Sequence, residues 1–246
     1  MAPSNISSTS AAFDDLAHSL RILLEAHIRA HGGGLLTVDR AEAIGNIENA
    51  LTAALNSFHS LYDAIKSETQ APPIDWYKNG PLATILTLRN ARHHNHANKI
   101  RTLYNYHARE VANPSKLTSY VLVDFPAGEA GADTFDVFIS WQDLKSLLSM
   151  PTKQSRLPEA TSSLIRDYLH TGRFVDYARE YELTEQRVFF NVVPLIVDAA
   201  ATITPLIKKQ LTTLSMEGEA YAELFSDMPL ADTENPDVIC GPIDLV

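Results

Sequence analysis

Two long amphipathic repeats, interrupted only by Gly32-Gly33-Gly34, dominate the N-terminal part of the chain. Phe13, Leu16, Leu20, Leu23, Leu24 and Ile28 recur at helical spacing and predict a helix from Ala11 to about His31. The glycines end it, because glycine reaches the left-handed cap conformation without a Cβ clash. A second stripe, from Ile44 and Ile47 through Leu51, Leu55 and Phe58 to Ile65, predicts a helix over about Val38 to Ser67, with Asp39 available as its cap. Stripes of this length joined by so short a loop fold back on each other as an antiparallel hairpin. Residues 1–10 are Ser/Thr-rich and read as a disordered leader.

Beyond the hairpin, Ala71-Pro72-Pro73 breaks the chain, and Asn79-Gly80-Pro81 turns it into a short apolar helix, Pro81 to Leu88. The basic stretch that follows reads as more helix, to about Val111, stopped by Asn113-Pro114. The period then changes. Tyr120 to Phe125 and Thr134 to Ser140 are β-rich, and the Pro/Gly/acidic loop between them, 126–133, predicts a β-hairpin. Helices are expected over 141–150, 159–170, 174–181 and 194–214, the last kinked at Pro205, while 184–191 is ambiguous. Residues 215–246 hold eight acids and no Lys or Arg. They read as an extended acidic tail with a short helix over 219–226, either a solubilising end or an internal RNA mimic. The expected fold is mainly α: an antiparallel helical bundle (11–112), then one β-hairpin insertion and additional C-terminal helices (113–214), then the tail.

Composition removes several function classes. The single cysteine, Cys240, excludes an internal disulfide framework and a Cys-based zinc site. No apolar run approaches the ~20 residues that span a bilayer, and no signal peptide is read, so the expectation is a cytoplasmic protein without membrane contact. A net charge of −10 argues against non-specific nucleic-acid binding over the whole surface, though not against a local site.

Such a locality exists. From Trp76 to Arg109 there is no Asp or Glu, while Lys78, Arg89, Arg92, Lys99, Arg101 and Arg109 stand with His93, His94, His96 and His107. The chain has 20 Lys and Arg against 30 Asp and Glu; without these six the rest is 14 against 30, a formal charge of −16. A cationic, His-rich island in an anionic chain suggests an anion site, with phosphate the leading candidate. His is the side chain that titrates near neutral pH, and Arg offers a planar fork of donors that does not deprotonate. His93 and His96 would also suit a metal ion if His107 or His59 joined them, but two histidines alone make a poor site. Tyr104 and Tyr106 would either stack on bases or pack in the core.

Arg89-Asn90-Ala91-Arg92-His93-His94 resembles the R-x(4–6)-H signature of the HEPN superfamily, helical-bundle proteins that include many metal-independent endoribonucleases of toxin and antiviral systems. The resemblance covers roughly residues 11–112. It implies a HEPN-like bundle and a homodimer with two motifs around one phosphate. It assigns Arg89 to phosphate and transition-state stabilisation, His94 to general acid/base work and Asn90 to orientation. His96 is the alternative to His94, since it shares a helical face with Arg89 whereas His94 lies about 140° around. Arg92, His93, His96, Lys99 and Arg101 are the expected RNA contacts. The implied activity is RNA cleavage by the 2′-hydroxyl, without metal or cofactor, with RNA and an antitoxin or regulatory protein as partners. The alternative is a non-catalytic helical protein that binds RNA, nucleotide or an acidic partner through the same helix.

Overall fold

The computed structural model describes residues 7–69, 71–110, 118–128 and 135–243. Residues 1–6 of the expected leader, the expected stop at Asn113-Pro114 and residues 129–133 of the expected hairpin loop lie outside this set. Helix α1 (Ser8–His31) and helix α3 (Arg40–Glu68) form the predicted antiparallel hairpin. Ser8 and Thr9, at the start of α1, donate hydroxyls to Glu68 at the end of α3 (2.7 and 2.6 Å), and the Ser19 and Ser57 hydroxyls meet midway at 2.7 Å. Gly34 turns the chain at φ +70° into the short α2 (Leu35–Val38), and Asp39 caps α3 by accepting from the Glu42 N–H. Residues 8–10, expected in the leader, are helical, with Ser7 as the cap of α1.

Helix α4 (Gly80–His93) is sunk in the molecule, with Pro81 to Leu88 and Ala91 buried. Asn79 caps it through the Leu82 N–H. Gly80 lets the following elements close over it, since a Cβ there would lie 2.8 Å from Tyr168 Cβ. A short α5 (Leu103–Glu110) follows. The C-terminal half adds α6 (Trp141–Leu148), α7 (Thr152–Ser155), α8 (Glu159–Tyr168), α9 (Gly172–Glu180), α10 (Val193–Ile207) and α11 (Met216–Asp227). α10 runs through Pro205 but ends at Ile207, short of the expected 214. No helix among the described residues is long and apolar enough to cross a membrane.

The predicted β-hairpin is not formed. Strands β1 (Ser119–Asp124) and β2 (Phe138–Ser140) both pair instead with β3 (Val188–Asn191), β1 in parallel and β2 antiparallel. A fourth strand, β4 (Asp237–Pro242), pairs antiparallel with the other edge of β1, giving the order β2-β3-β1-β4. The reason is burial on both faces. Tyr120 and Phe189 pack under Leu103 and Tyr106 of α5, while Val121, Val123, Val188 and Phe190 face the main core. A continuous apolar run such as Val188-Phe189-Phe190 belongs at the centre of a sheet, flanked on both sides.

Nor is there an extended acidic tail. Asp14 of α1 accepts hydrogen bonds from the Ser215 N–H and hydroxyl, Arg21 pairs with Glu217 at 2.6 Å, and β4 joins the sheet. One hydrophobic cluster runs from Ala12 to Phe225, so the boundary expected near residue 112 separates no cores.

Candidate functional site

The basic island is not one continuous helix. α4 stops at His93, His94 takes the cap position (φ −92°, ψ 5°), and a loop leads to α5. In that loop Asn95, Ala97, Asn98, Lys99 and Ile100 all have positive φ, between 44° and 60°. Non-glycine residues pay roughly 1–2 kcal/mol each for that conformation, so something must hold it.

The clamps are two of the arginines read as RNA contacts. Arg92 forms an ion pair with Glu48 of α3 and donates to the Lys99 and Ile100 carbonyls (3.4 and 3.1 Å); its side chain is 8% exposed. Arg101 binds Asp143 of α6 through Nε and Nη2, both at 2.8 Å, and lies over the Tyr106 ring. Asp143, itself 2% exposed, also accepts from the Asn98 amide. Arg92 and Arg101 therefore point inward and shape the loop. The stretch lacks carboxylates of its own, but α3 and α6 bring them.

His107 is buried against the sheet, its Nδ1 2.7 Å from the Tyr120 hydroxyl, and is no companion for His93 and His96. His59 lies 3.2 Å from Asp63. Among the described residues no group of three or more His, Cys, Asp or Glu could hold a metal ion. Tyr106 is buried, and Tyr104 hydrogen-bonds His31 at 2.8 Å with its hydroxyl pushed up to about 12, chiefly by burial. Tyr104 is half-buried and packs against the core.

What remains outward divides between two faces of α4. Thr87, Asn90, Ala91 and His94 follow i, i+3, i+4, i+7 spacing and line one cleft with His96. The cleft encloses about 230 Å³, and Tyr77, Leu147, Ser155, Arg156 and Leu157 form its other wall. The His94 ring lies 4.9 Å from His93 and 5.8 Å from His96, centroid to centroid. Desolvation first, then the charges of His93, Arg156, His96 and Arg89, hold the His94 imidazole below its ordinary pKa, so it is mainly neutral at pH 7. The Thr87 hydroxyl is buried at the cleft without a hydrogen-bond partner.

Arg89 lies on the adjoining face. It donates to Asn56 of α3 and to the Asn90 side-chain oxygen, both at 3.1 Å. It does not line the cleft, but it fixes Asn90: a guanidinium only donates, so the amide oxygen turns to Arg89 and the NH₂ is left for the cleft. Its charge, after burial, also helps to lower the pKa of His59. The structure thus brings together Asn90, His94 and His96, with Arg89 one step behind. Lys99 and His93 are exposed beside them.

The sequence reading missed Arg156. It follows α7 at φ 58° and is exposed; no carboxylate among the described residues pairs with it. Nothing in its local sequence marks it, because only the packing of α7 and α8 near α4 brings it to His94. Comparison of the chain with protein-family models, with curated proteins and with solved structures returns no match. The functional reading therefore rests on the residues of the cleft.

Proposed function

We propose that the chain is a metal-independent endoribonuclease whose site is the cleft at the end of α4. The observation that carries this reading is the meeting of His94 and His96 with Asn90 and Arg156 in one small cleft. In the proposed reaction, neutral His94 takes the proton of a 2′-hydroxyl, whose oxygen attacks the adjacent phosphorus. The bond to the 5′-oxygen breaks, and the leaving oxygen takes up a proton handed over by His96. The products are a 2′,3′-cyclic phosphate and a 5′-hydroxyl. Arg156 stabilises the charge on the non-bridging oxygens, and the Asn90 NH₂ orients the phosphate. Arg89 is a positioning residue that acts through Asn90. The homodimer implied by the HEPN resemblance, and a role in a toxin or antiviral system with a regulatory partner, belong to the same proposal.

The test is cleavage of a labelled tRNA pool in excess EDTA by wild type, His94→Ala, Arg156→Ala and Arg89→Ala, each confirmed as folded. The expected result is cyclic-phosphate ends from wild type and loss of activity in His94→Ala. Arg156→Ala should lose about 10²-fold or more, the cost of one transition-state donor. Equal cleavage by all four would contradict the assignment. Binding of RNA without cleavage by any of them would favour the interaction-protein alternative.

A further inference from the structure

A larger cavity lies away from the α4 cleft. It encloses about 680 Å³ between α1, α11, the start of α10 and one end of the sheet. Its walls are apolar, with Leu23, Phe125, Val197 and Phe225 among them. Leu24, Ile28 and Leu224 line it while remaining 37%, 53% and 49% exposed, so an apolar rim opens to solvent. A cavity of this size with a few convergent polar groups is the usual form of a small-molecule site.

Those polar groups carry one sign. Asp124, Asp136, Asp198 and Asp237 line the cavity, and no Lys or Arg does among the described residues. Asp198 accepts from the Tyr168 hydroxyl and the Ala231 N–H, and Asp124 accepts from the Phe125 N–H. Asp124, Asp136 and Asp237 gather at the sheet end, the last two exposed. Asp124 and Asp237 are directly opposed across β1 and β4, a placement in which like charges repel. Asn191 donates to both Asp124 and Asp136 through the same amide nitrogen, at 2.9 and 3.0 Å. Neither Asp124 nor Asp237 has an ion-pair partner among the described residues. His27 and Tyr221 also line the cavity; burial, then the charge of His31, lowers the His27 pKa to about 4, and its Nδ1 is buried without a partner.

We propose that this cavity binds an organic cation with an apolar body, an alkyl- or arylamine. Its ammonium meets Asp124 and Asp237, and its body lies between α1 and α11. Fatty acids and other anionic amphiphiles are excluded by the same carboxylates. The site is independent of the ribonuclease reading.

Phenylbutylamine, phenylbutanol and phenylbutyrate share one body and differ in the head, so they test the proposal by calorimetric titration of the full chain. The amine should bind saturably, the alcohol about tenfold or more weaker, and the carboxylate not at all. Asp124→Asn with Asp237→Asn should bring the amine down to the alcohol's affinity. Leu24→Trp and Leu224→Trp, at exposed rim positions that tolerate a larger ring, should each weaken the amine about tenfold while leaving net charge unchanged. Amine binding that ignores the tryptophans would be general attraction to an acidic protein and would overturn the proposal. So would equal affinity for amine and alcohol, no binding of the amine, or displacement of the amine by millimolar calcium.

Discussion

Arg92 and Arg156 exchange the roles their sequence positions suggest. Arg92 sits inside the motif yet holds the loop through Glu48, while Arg156, far along the chain, faces His94. Arg92→Ala should therefore destabilise the fold by roughly 3 kcal/mol, because it strands a largely buried carboxylate, whereas Lys99→Ala should change stability by less than about 0.5 kcal/mol. Urea unfolding of the two variants separates these outcomes. At His94 desolvation, then the cationic neighbours, favours the neutral ring, so the acidic limb of the pH–activity profile should fall below the ordinary histidine value of 6.5. Arg156→Ala removes one of those charges and should move that limb up in pH; a limb that stays put would detach Arg156 from His94. Asp198 provides a pH effect of the opposite kind. Burial pushes its carboxyl up to about 6 from 3.8, so the folded chain holds a proton that the unfolded chain has released. Its contribution is full below about pH 4 and is lost as pH rises through about 6. Asp198→Asn keeps an oxygen for the Ala231 N–H and offers N–H to Tyr168. It should stabilise the protein above pH 6 by at most ~3 kcal/mol, with the gain vanishing towards pH 4 in thermal melts.

At the scale of elements, what could be read in the sequence is what repeats locally. The α1–α3 hairpin was legible because six and more apolar residues recur at helical spacing over two uninterrupted stretches, and Asp39 and Gly34 mark the turn between them. β3 was not, because an apolar run as short as Val188-Phe189-Phe190 has no period that separates a buried strand from a buried helix. Without it β1 and β2 seemed to have only each other. β4 was hidden by its acidic surroundings, since an edge strand with one solvent face carries little apolar signal. The cleft was half legible: the Thr87-Asn90-His94 spacing is local, whereas the clamps on Arg92 and Arg101 and the approach of Arg156 depend on α3, α6 and α7. A stop codon after Leu214 discriminates the two views of the C-terminus. A solubilising tail would leave a folded protein, but loss of α11 from α1 and of β4 from β1 should leave one that fails to unfold cooperatively. Phe190→Ala, in the central strand, should cost about 4 kcal/mol by denaturant titration.

Over the whole molecule, charge is sorted rather than spread. The chain carries −10, yet in its C-terminal part Glu217 pairs with Arg21 of α1 and Asp237 lies on the edge of the sheet, away from the end of α4. The α4 cleft is left with His94, His96, Arg156 and the Asn90 amide, which is where an anionic strand would be drawn. The most direct test is an NMR titration of the histidine ring protons with a short single-stranded RNA in EDTA, on wild type and Arg156→Ala. The His94 and His96 resonances should shift together on RNA addition in wild type, and the response should weaken in Arg156→Ala while His18 and His170 stay unmoved. RNA binding that leaves His94 and His96 unchanged, or no binding at all, would contradict the assignment of this cleft.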